Sequence, residues 1–132
     1  MTIEVRGPDA RTALQAALSA ILRHVLGAPH AGAAARSTPI RGEGDDLAAL
    51  FADLAADFLD QLAQYGGSIY DVAVDGVVRR DDGGYVAWGY AAGSLEASAT
   101  GGRLLSLESP EAIEKGNIIH LRATLHQSPG HA

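Results

Sequence analysis

The reactive side chains open to this chain are its carboxylates and histidines. It has 16 Asp and Glu, five His and no Cys. The missing cysteine excludes a catalytic thiol, a thiolate metal site and a disulfide framework. His120 and His126 would share one face of a strand, but six residues of strand separate them by roughly 20 Å, too far to hold one metal ion together. His24 falls beside the apolar stripe of a helix, His30 in an Ala-rich loop and His131 in the C-terminal tail. Solvated or structural roles are expected for all five. Glu43, Asp45 and Asp46 crowd a helix start, and hard cations take such oxygen ligands. Their spacing is not that of a Ca²⁺ loop, however, and Asp at a helix start is ordinary capping. Asp71 and Asp75 alternate along a strand with no identifiable second group for acid–base work, and Asp81 and Asp82 belong to a turn. No Ser sits in a Gly-x-Ser-x-Gly elbow. Gly66-Gly67 and Gly101-Gly102 lack the spacing and the Lys of a phosphate loop. Tyr70, Tyr85, Trp88 and Tyr90 have no basic residues interleaved, so core and cross-strand pairing is expected rather than base stacking.

The charge is unevenly placed. The chain carries a net −6. Between Arg41 and Arg79 there is no Lys or Arg, while Glu43, Asp45, Asp46, Asp53, Asp57, Asp60, Asp71 and Asp75 all fall there. Direct nucleic-acid binding is not expected, because it needs Lys and Arg to replace counterions. On a helix Asp53, Asp57 and Asp60 point the same way. They are the candidate partner-binding residues, suited to a basic protein. A solvated face that keeps the chain soluble accounts for the same stripe.

The element that must carry those acids is the longest periodic segment, a helix over 45–65. Leu47, Leu50, Phe51, Leu54, Phe58 and Leu62 recur at steps of three and four, the rhythm of a helix with one buried face. Asp45 or Asp46 suits its capped start, and Gly66-Gly67 its stop. A second helix over 9–26 has Leu14, Leu18, Ile21, Leu22 and Val25 in the same rhythm, with Pro8 and Asp9 at its start and Gly27 at its end. Residues 1–6 alternate as a short strand, with Ile3 and Val5 on one face. Ala28 to Ser37 reads as a mobile loop, and Thr38 to Arg41 as a short strand with Ile40 inward.

After Gly67 the period changes to two. Ile69 to Arg80 reads as a strand interrupted at Gly76 by a bulge or twist. Asp81-Asp82-Gly83-Gly84 reads as a hairpin turn. Tyr85 to Ala92 reads as the returning strand, with Val86, Trp88 and Tyr90 on one face. Ala87, Gly89 and Ala91 form a small face that would let a helix approach. Weak strands are expected at Leu95 to Ala99 and Leu104 to Leu107, and a loop or single helical turn at Ser109-Pro110-Glu111. Ile118 to His126 is the last strand, and residues 127–132 form a flexible tail. No internal repeat is legible.

Two amphipathic helices cannot bury their stripes on each other and also cover a sheet. Placing both on one face of a sheet satisfies both needs. The expected fold is therefore α+β: two layers, a mixed or antiparallel sheet with two helices on one face, in the order β-α-β-α-β-β-β-β. The 132 residues fit one domain, residues 69–126 being mainly antiparallel strands. A hydrophobic content of 47% is that of a folded chain. With no secretory pattern at its start and no apolar run approaching ~20 residues, a soluble, cytoplasmic protein without a membrane span is expected.

The segment Gly44-Asp45-Asp46-Leu47, followed by Leu50, Phe51, Asp53, Leu54 and Leu59, resembles the second helix of archease proteins. The order of elements along the whole chain is also similar. The resemblance is closest over residues 42–92. It implies a small α+β accessory protein, not an enzyme, that assists an RNA-splicing (tRNA) ligase in its guanylylation step or acts as a chaperone-like partner. It also implies a divalent metal held by acids near the N-terminus and at the end of the last strand. The chain departs from that pattern at both places. Val5-Arg6-Gly7-Pro8-Asp9 stands where the family has a His-Thr-Ala-Asp segment, so only Asp9 corresponds loosely to the N-terminal acid. Leu125-His126-Gln127 ends the last strand without an acid. Two other readings stay open: a small-ligand-binding domain or enzyme using a cleft between sheet and helices, and a structural or oligomeric module. Residue types alone fix neither a cofactor nor the oligomeric state.

Overall fold

Two corners of the same design turn a strand into a helix. In a computed structural model, which describes residues 1–26, 36–65, 69–93 and 105–127, β1 (Thr2–Gly7) leads into α1 (Ala10–Leu26), and β2 (Arg36–Gly44) into α2 (Leu47–Tyr65). Asp9 Oδ1 accepts the Thr12 amide at 2.7 Å, and Asp46 Oδ1 accepts the Ala49 amide at 2.8 Å. Each Asp is thus the N-cap of its helix, meeting a donor that the first turn leaves unpaired. Each corner begins with a glycine for reasons of space. A Cβ on Gly7 would lie 2.7 Å from the Ala13 amide nitrogen, and one on Gly44 2.5 Å from that of Leu50.

The remaining strands form two hairpins. β3 (Ile69–Arg79) returns as β4 (Tyr85–Gly93), and β5 (Leu105–Lys115) returns as β6 (Ile118–Gln127). The expected Asp-Gly turn is present, with Gly83 at a φ of 91° and the Gly84 amide bonded to Asp82 Oδ1 at 2.9 Å. Gly76 follows an irregularity at Asp75, as expected, where the register shifts between Val74 and Gly76. A second shift between Ile69 and Asp71 sends Ile69 rather than Tyr70 into the core.

The α+β class and the element order are as expected, but the strands divide into two antiparallel three-stranded sheets, β1-β6-β5 and β2-β4-β3. The reason lies at the sheet edges. α1 packs against β1 of one sheet and β3 of the other, and α2 against β2 and β5. Helices therefore stand where a continuous sheet would have its next strand. The core between them is the two helical stripes and the inward strand residues. Leu14, Leu18, Ile21, Phe51, Leu54 and Phe58 are all nearly inaccessible. The small inward face of β4 is present too, with Ala87 and Ala91 buried beneath α2.

Two local expectations are corrected. β2 runs for nine residues, so Arg36 and Ser37 are strand rather than loop. Ser109-Pro110-Glu111 is neither a loop nor a helical turn. It is an irregularity inside a continuous β5, with Ser109 at a φ of 53° and the register shifted between Glu108 and Glu111. A bulge is one of the few places a strand accepts proline. Gly116-Asn117, unremarked in the sequence, closes the β5–β6 hairpin between the paired Lys115 and Ile118. The loop expected at residues 28–35, the helix stops at Gly27 and Gly66-Gly67, the strand at Leu95 to Ala99, the turn at Gly101-Gly102 and the tail beyond Gln127 lie outside the described residues.

Candidate functional site

The acidic stripe of α2 runs alongside β2, an edge strand. An edge strand presents free amides, which must find acceptors. Asp57 Oδ2 accepts the Arg41 amide at 2.7 Å, and Asp53 Oδ2 accepts the Glu43 amide at 2.8 Å. The spacing explains the match. Four residues of helix advance about 6 Å, and two residues of strand about 6.8 Å. Helix and strand run in opposite directions, so successive carboxylates meet successive outward amides. The next pair in the series would be Gln61 and residue 39, where Pro39 has no amide to donate, and Gln61 Oε1 is buried without a partner. Two of the three expected partner-binding residues, Asp53 and Asp57, thus have work inside the molecule that the sequence did not reveal. Asp60 is exposed on the same helix.

The acids at the start of α2 are likewise engaged. Arg80, in the β3–β4 turn, places its guanidinium 3.7 Å from Glu43, 3.1 Å from Asp45 and 3.1 Å from Asp82. A cation does stand among Glu43, Asp45 and Asp82, and it is an arginine. Asp9 spends its carboxylate on the first turn of α1. The Thr12 amide holds its pKa below the usual 3.8, with a smaller contribution from nearby Arg11. His120 Nε2 lies 2.8 Å from Glu4 Oε1 across the β1–β6 pair, without the alignment of a hydrogen bond. Among the described residues no group of three or more His, Asp or Glu could hold a metal ion. The divalent metal that the archease resemblance implies does not fit the residues present. Asp9 is a helix cap, and β6 ends in Leu125-His126-Gln127.

One end of the molecule is hollowed. Tyr85 lines three shallow, open depressions of about 450, 330 and 400 Å³ between the starts of the two helices and the β5–β6 turn. Asp9, Asp46, Arg79 and Glu114 border them, and the Arg79 guanidinium sits 5.3 Å from the centre of the Tyr85 ring. Among the described residues their linings hold no Ser, Thr, His or Lys.

The outer faces of the two sheets differ in kind. Across β1-β6-β5 the outward rows are mainly polar, with Glu4 opposite Arg122 opposite Glu111, Thr2 opposite Thr124 opposite Glu108, and Arg6 opposite His120 opposite Ile113, though Ile113 is 53% and Ile118 50% exposed. Across β2-β4-β3 they are Pro39–Tyr90–Ala73, Arg41–Trp88–Gly76 and Glu43–Val86–Val78. Trp88 is 41% and Val78 49% exposed. This corrects the placement of Trp88 in the core. Its ring lies over Gly76, where a Cβ would come within 2.4 Å of it, so it is a cross-strand neighbour facing solvent. The two-residue alternation of β4 carried this signal: the small residues face the helices, so the large ones must face out.

Among the described residues no helix is long and apolar enough to cross a membrane. No family model matches the chain, and no curated protein matches it. Among solved structures it is similar to protein 1598 of Methanobacterium thermoautotrophicum. The match has a TM-score of 0.65 at 18% identity and covers 96% of this chain and 91% of the other, a likeness of fold over nearly the whole length.

Proposed function

We propose that this chain is an archease-like accessory protein that acts by contacting a protein partner, an RNA-splicing (tRNA) ligase or another client of a chaperone-like activity. The observation that carries the reading is a combination. The chain resembles archeases over residues 42–92, and its charged side chains serve as caps and ion pairs rather than as a reaction centre. The acidic block around α2 supports a partner of basic character. With Asp53 and Asp57 tied to β2, Asp60 is the member of the expected trio left to meet such a partner. The metal-dependent part of the archease pattern forms no part of this proposal.

The test is reconstitution. A purified RNA-splicing ligase from the same organism should form its guanylylated intermediate faster over repeated turnovers when this protein is added. A ligase rate unchanged by stoichiometric protein, together with no complex on size-exclusion chromatography, would rule out the ligase as partner.

A further inference from the structure

The outer face of β2-β4-β3 carries a longer row of apolar side chains than the Ile113 and Ile118 exposed on the other sheet. Pro39, Tyr90, Trp88, Val86 and Val78 form a strip along β4 and its neighbours. Single exposed hydrophobics need no explanation, but a contiguous strip does. A stable dimer buries roughly 800 Å² and about 20–30 residues per partner, so a strip of five side chains is small for permanent pairing with a second copy. Nor can a partner strand simply add to this sheet. Asp53 and Asp57 occupy outward amides of β2. On β3 the Gln15 side chain accepts the Val74 amide at 2.6 Å and donates to the Val72 carbonyl at 2.8 Å. Both edges are closed at these points by helix side chains, which leaves the face.

The charges around the strip identify what would cover it. Arg41 is paired with Glu43 at 3.4 Å, and Arg79 sits over Tyr85. Glu43 and Asp53 are engaged by Arg41, Arg80 and the β2 edge, which leaves Asp71 and Asp75, exposed on the β3 side, and Asp60, exposed on α2, to set the charge beside the strip. The row Tyr90–Trp88–Val86 is about 14 Å long at strand rise, the length of roughly nine helical residues.

We infer that this face docks a basic amphipathic helix of a partner protein, its apolar stripe lying along Tyr90, Trp88 and Val86 and its flanking Lys and Arg reaching the acids on either side. The inference deepens the accessory reading by giving the partner a docking face, and it rests on that reading.

Trp88 is the only tryptophan in the chain, so its emission reports this face directly. The probe is a synthetic Trp-free helical peptide with Leu at i, i+3, i+4 and i+7 flanked by Lys, set against a scrambled peptide of the same composition. The amphipathic peptide should shift Trp88 emission to the blue and protect it from acrylamide quenching, in a saturable way that weakens with salt. With the peptide labelled and anisotropy as the readout, Trp88→Ser should bind about tenfold or more weakly. Val78→Ser, a milder change at an exposed site, should weaken it less, and Asp75→Asn with Asp60→Asn should flatten the salt dependence. Unchanged emission, or equal response to the scrambled peptide, would overturn the inference. So would a blue shift that grows with protein concentration alone, which would put a second copy on this face. The ligase assay separates the two claims. Stimulation by wild type and equally by Trp88→Ser would sink the docking face and leave the accessory reading standing. No stimulation by wild type, with peptide binding intact, would sink the ligase reading and leave the face.

Discussion

The molecule contains two units with one plan and two finishes. Each consists of a strand, a corner glycine, an Asp-capped helix and a hairpin whose second strand pairs with the first strand of the unit. β1 and α1 belong with β5–β6, and β2 and α2 with β3–β4. The match extends to single positions at a constant offset of 37. Gly7 corresponds to Gly44 and Asp9 to Asp46. The buried Ala13, Leu14, Ala17, Leu18 and Ile21 correspond to the buried Leu50, Phe51, Leu54, Ala55 and Phe58. No repeat was legible in the sequence because the matched identities are few. What the two units share is burial and backbone geometry. The difference lies at the strand edges. Position 5 is Val in the first unit, and its counterpart Gly42 has no side chain. A Cβ on Gly42 would lie 2.5 Å from the Leu54 amide nitrogen. α2 therefore lies directly on its own strand, close enough for Asp53 and Asp57 to reach it, where α1 has Ala16 and Ala20. α1 instead uses Gln15 to close the edge of the other unit's sheet.

If the second helix is the deeper anchor, truncating it should hurt most. Leu54→Ala gives α2 the residue that α1 already has at Ala17, and it leaves a hole in a fully buried site. A loss of about 2–5 kcal/mol is expected in chemical denaturation. A cost near zero would mean that the two helices are interchangeable and that α2 does not anchor the core.

Next is the close approach itself. Gly42→Ala places a methyl group against the Leu54 backbone, which cannot rotate away as a side chain would. A cost of about 1–3 kcal/mol is expected. Gly7→Ala and Gly44→Ala should destabilise by similar amounts if the two corners are equivalent, since both added methyls meet backbone. A much smaller cost at Gly7 would show that the first corner is the looser one.

These sites also mark the limit of what sequence carried. The two stripes were legible because helical burial repeats every three to four residues, and the N-cap and the Asp82-Gly83 turn because their chemistry is local. The division into two sheets was not, since it depends on which edge each helix covers. The capping of β2 by Asp53 and Asp57 was hidden for a related reason. A carboxylate on an exposed helix face looks the same whether it meets water or a strand 10 to 16 residues away in sequence. Pro110 suggested a break because a bulge and a loop have the same composition. Gly116-Asn117 was a readable hairpin signal that the surrounding charges obscured.

A smaller effect distinguishes the edges. Asp53→Asn with Asp57→Asn keeps the shape but replaces charge-assisted acceptors by neutral ones. Because both bonds lie near solvent, about 1 kcal/mol each is expected, with faster amide exchange at Arg41 and Glu43 as the local readout. Ala16→Asp with Ala20→Asp, the same acids placed on α1, should give no stabilisation, because Val5 stands where Gly42 does. Equal amide protection before and after the Asn substitutions would show that the β2 edge is held by packing alone.

The smallest effect is one of acid stability, and it places one group in each unit. The Thr12 amide lowers the pKa of Asp9, and the Gly84 amide lowers that of Asp82 in the β3–β4 turn. A carboxylate whose folded value lies below its unfolded one stabilises the fold above the unfolded value, here near 3.8. It loses that contribution as pH falls through the depressed folded value. Melting temperature should therefore decline below about pH 4, less steeply in Asp9→Asn and in Asp82→Asn than in wild type. Each variant should melt below wild type by a constant margin from pH 5 to 7, and the margin should close in acid. The first unit's hairpin turns on Gly116-Asn117, with no acid to titrate, so Asp9 carries this local acid sensitivity in its unit. If Asp9→Asn keeps its full margin in acid while Asp82→Asn loses it, the Thr12 contact is a matter of shape rather than charge, unlike the Gly84 contact in the second unit's turn.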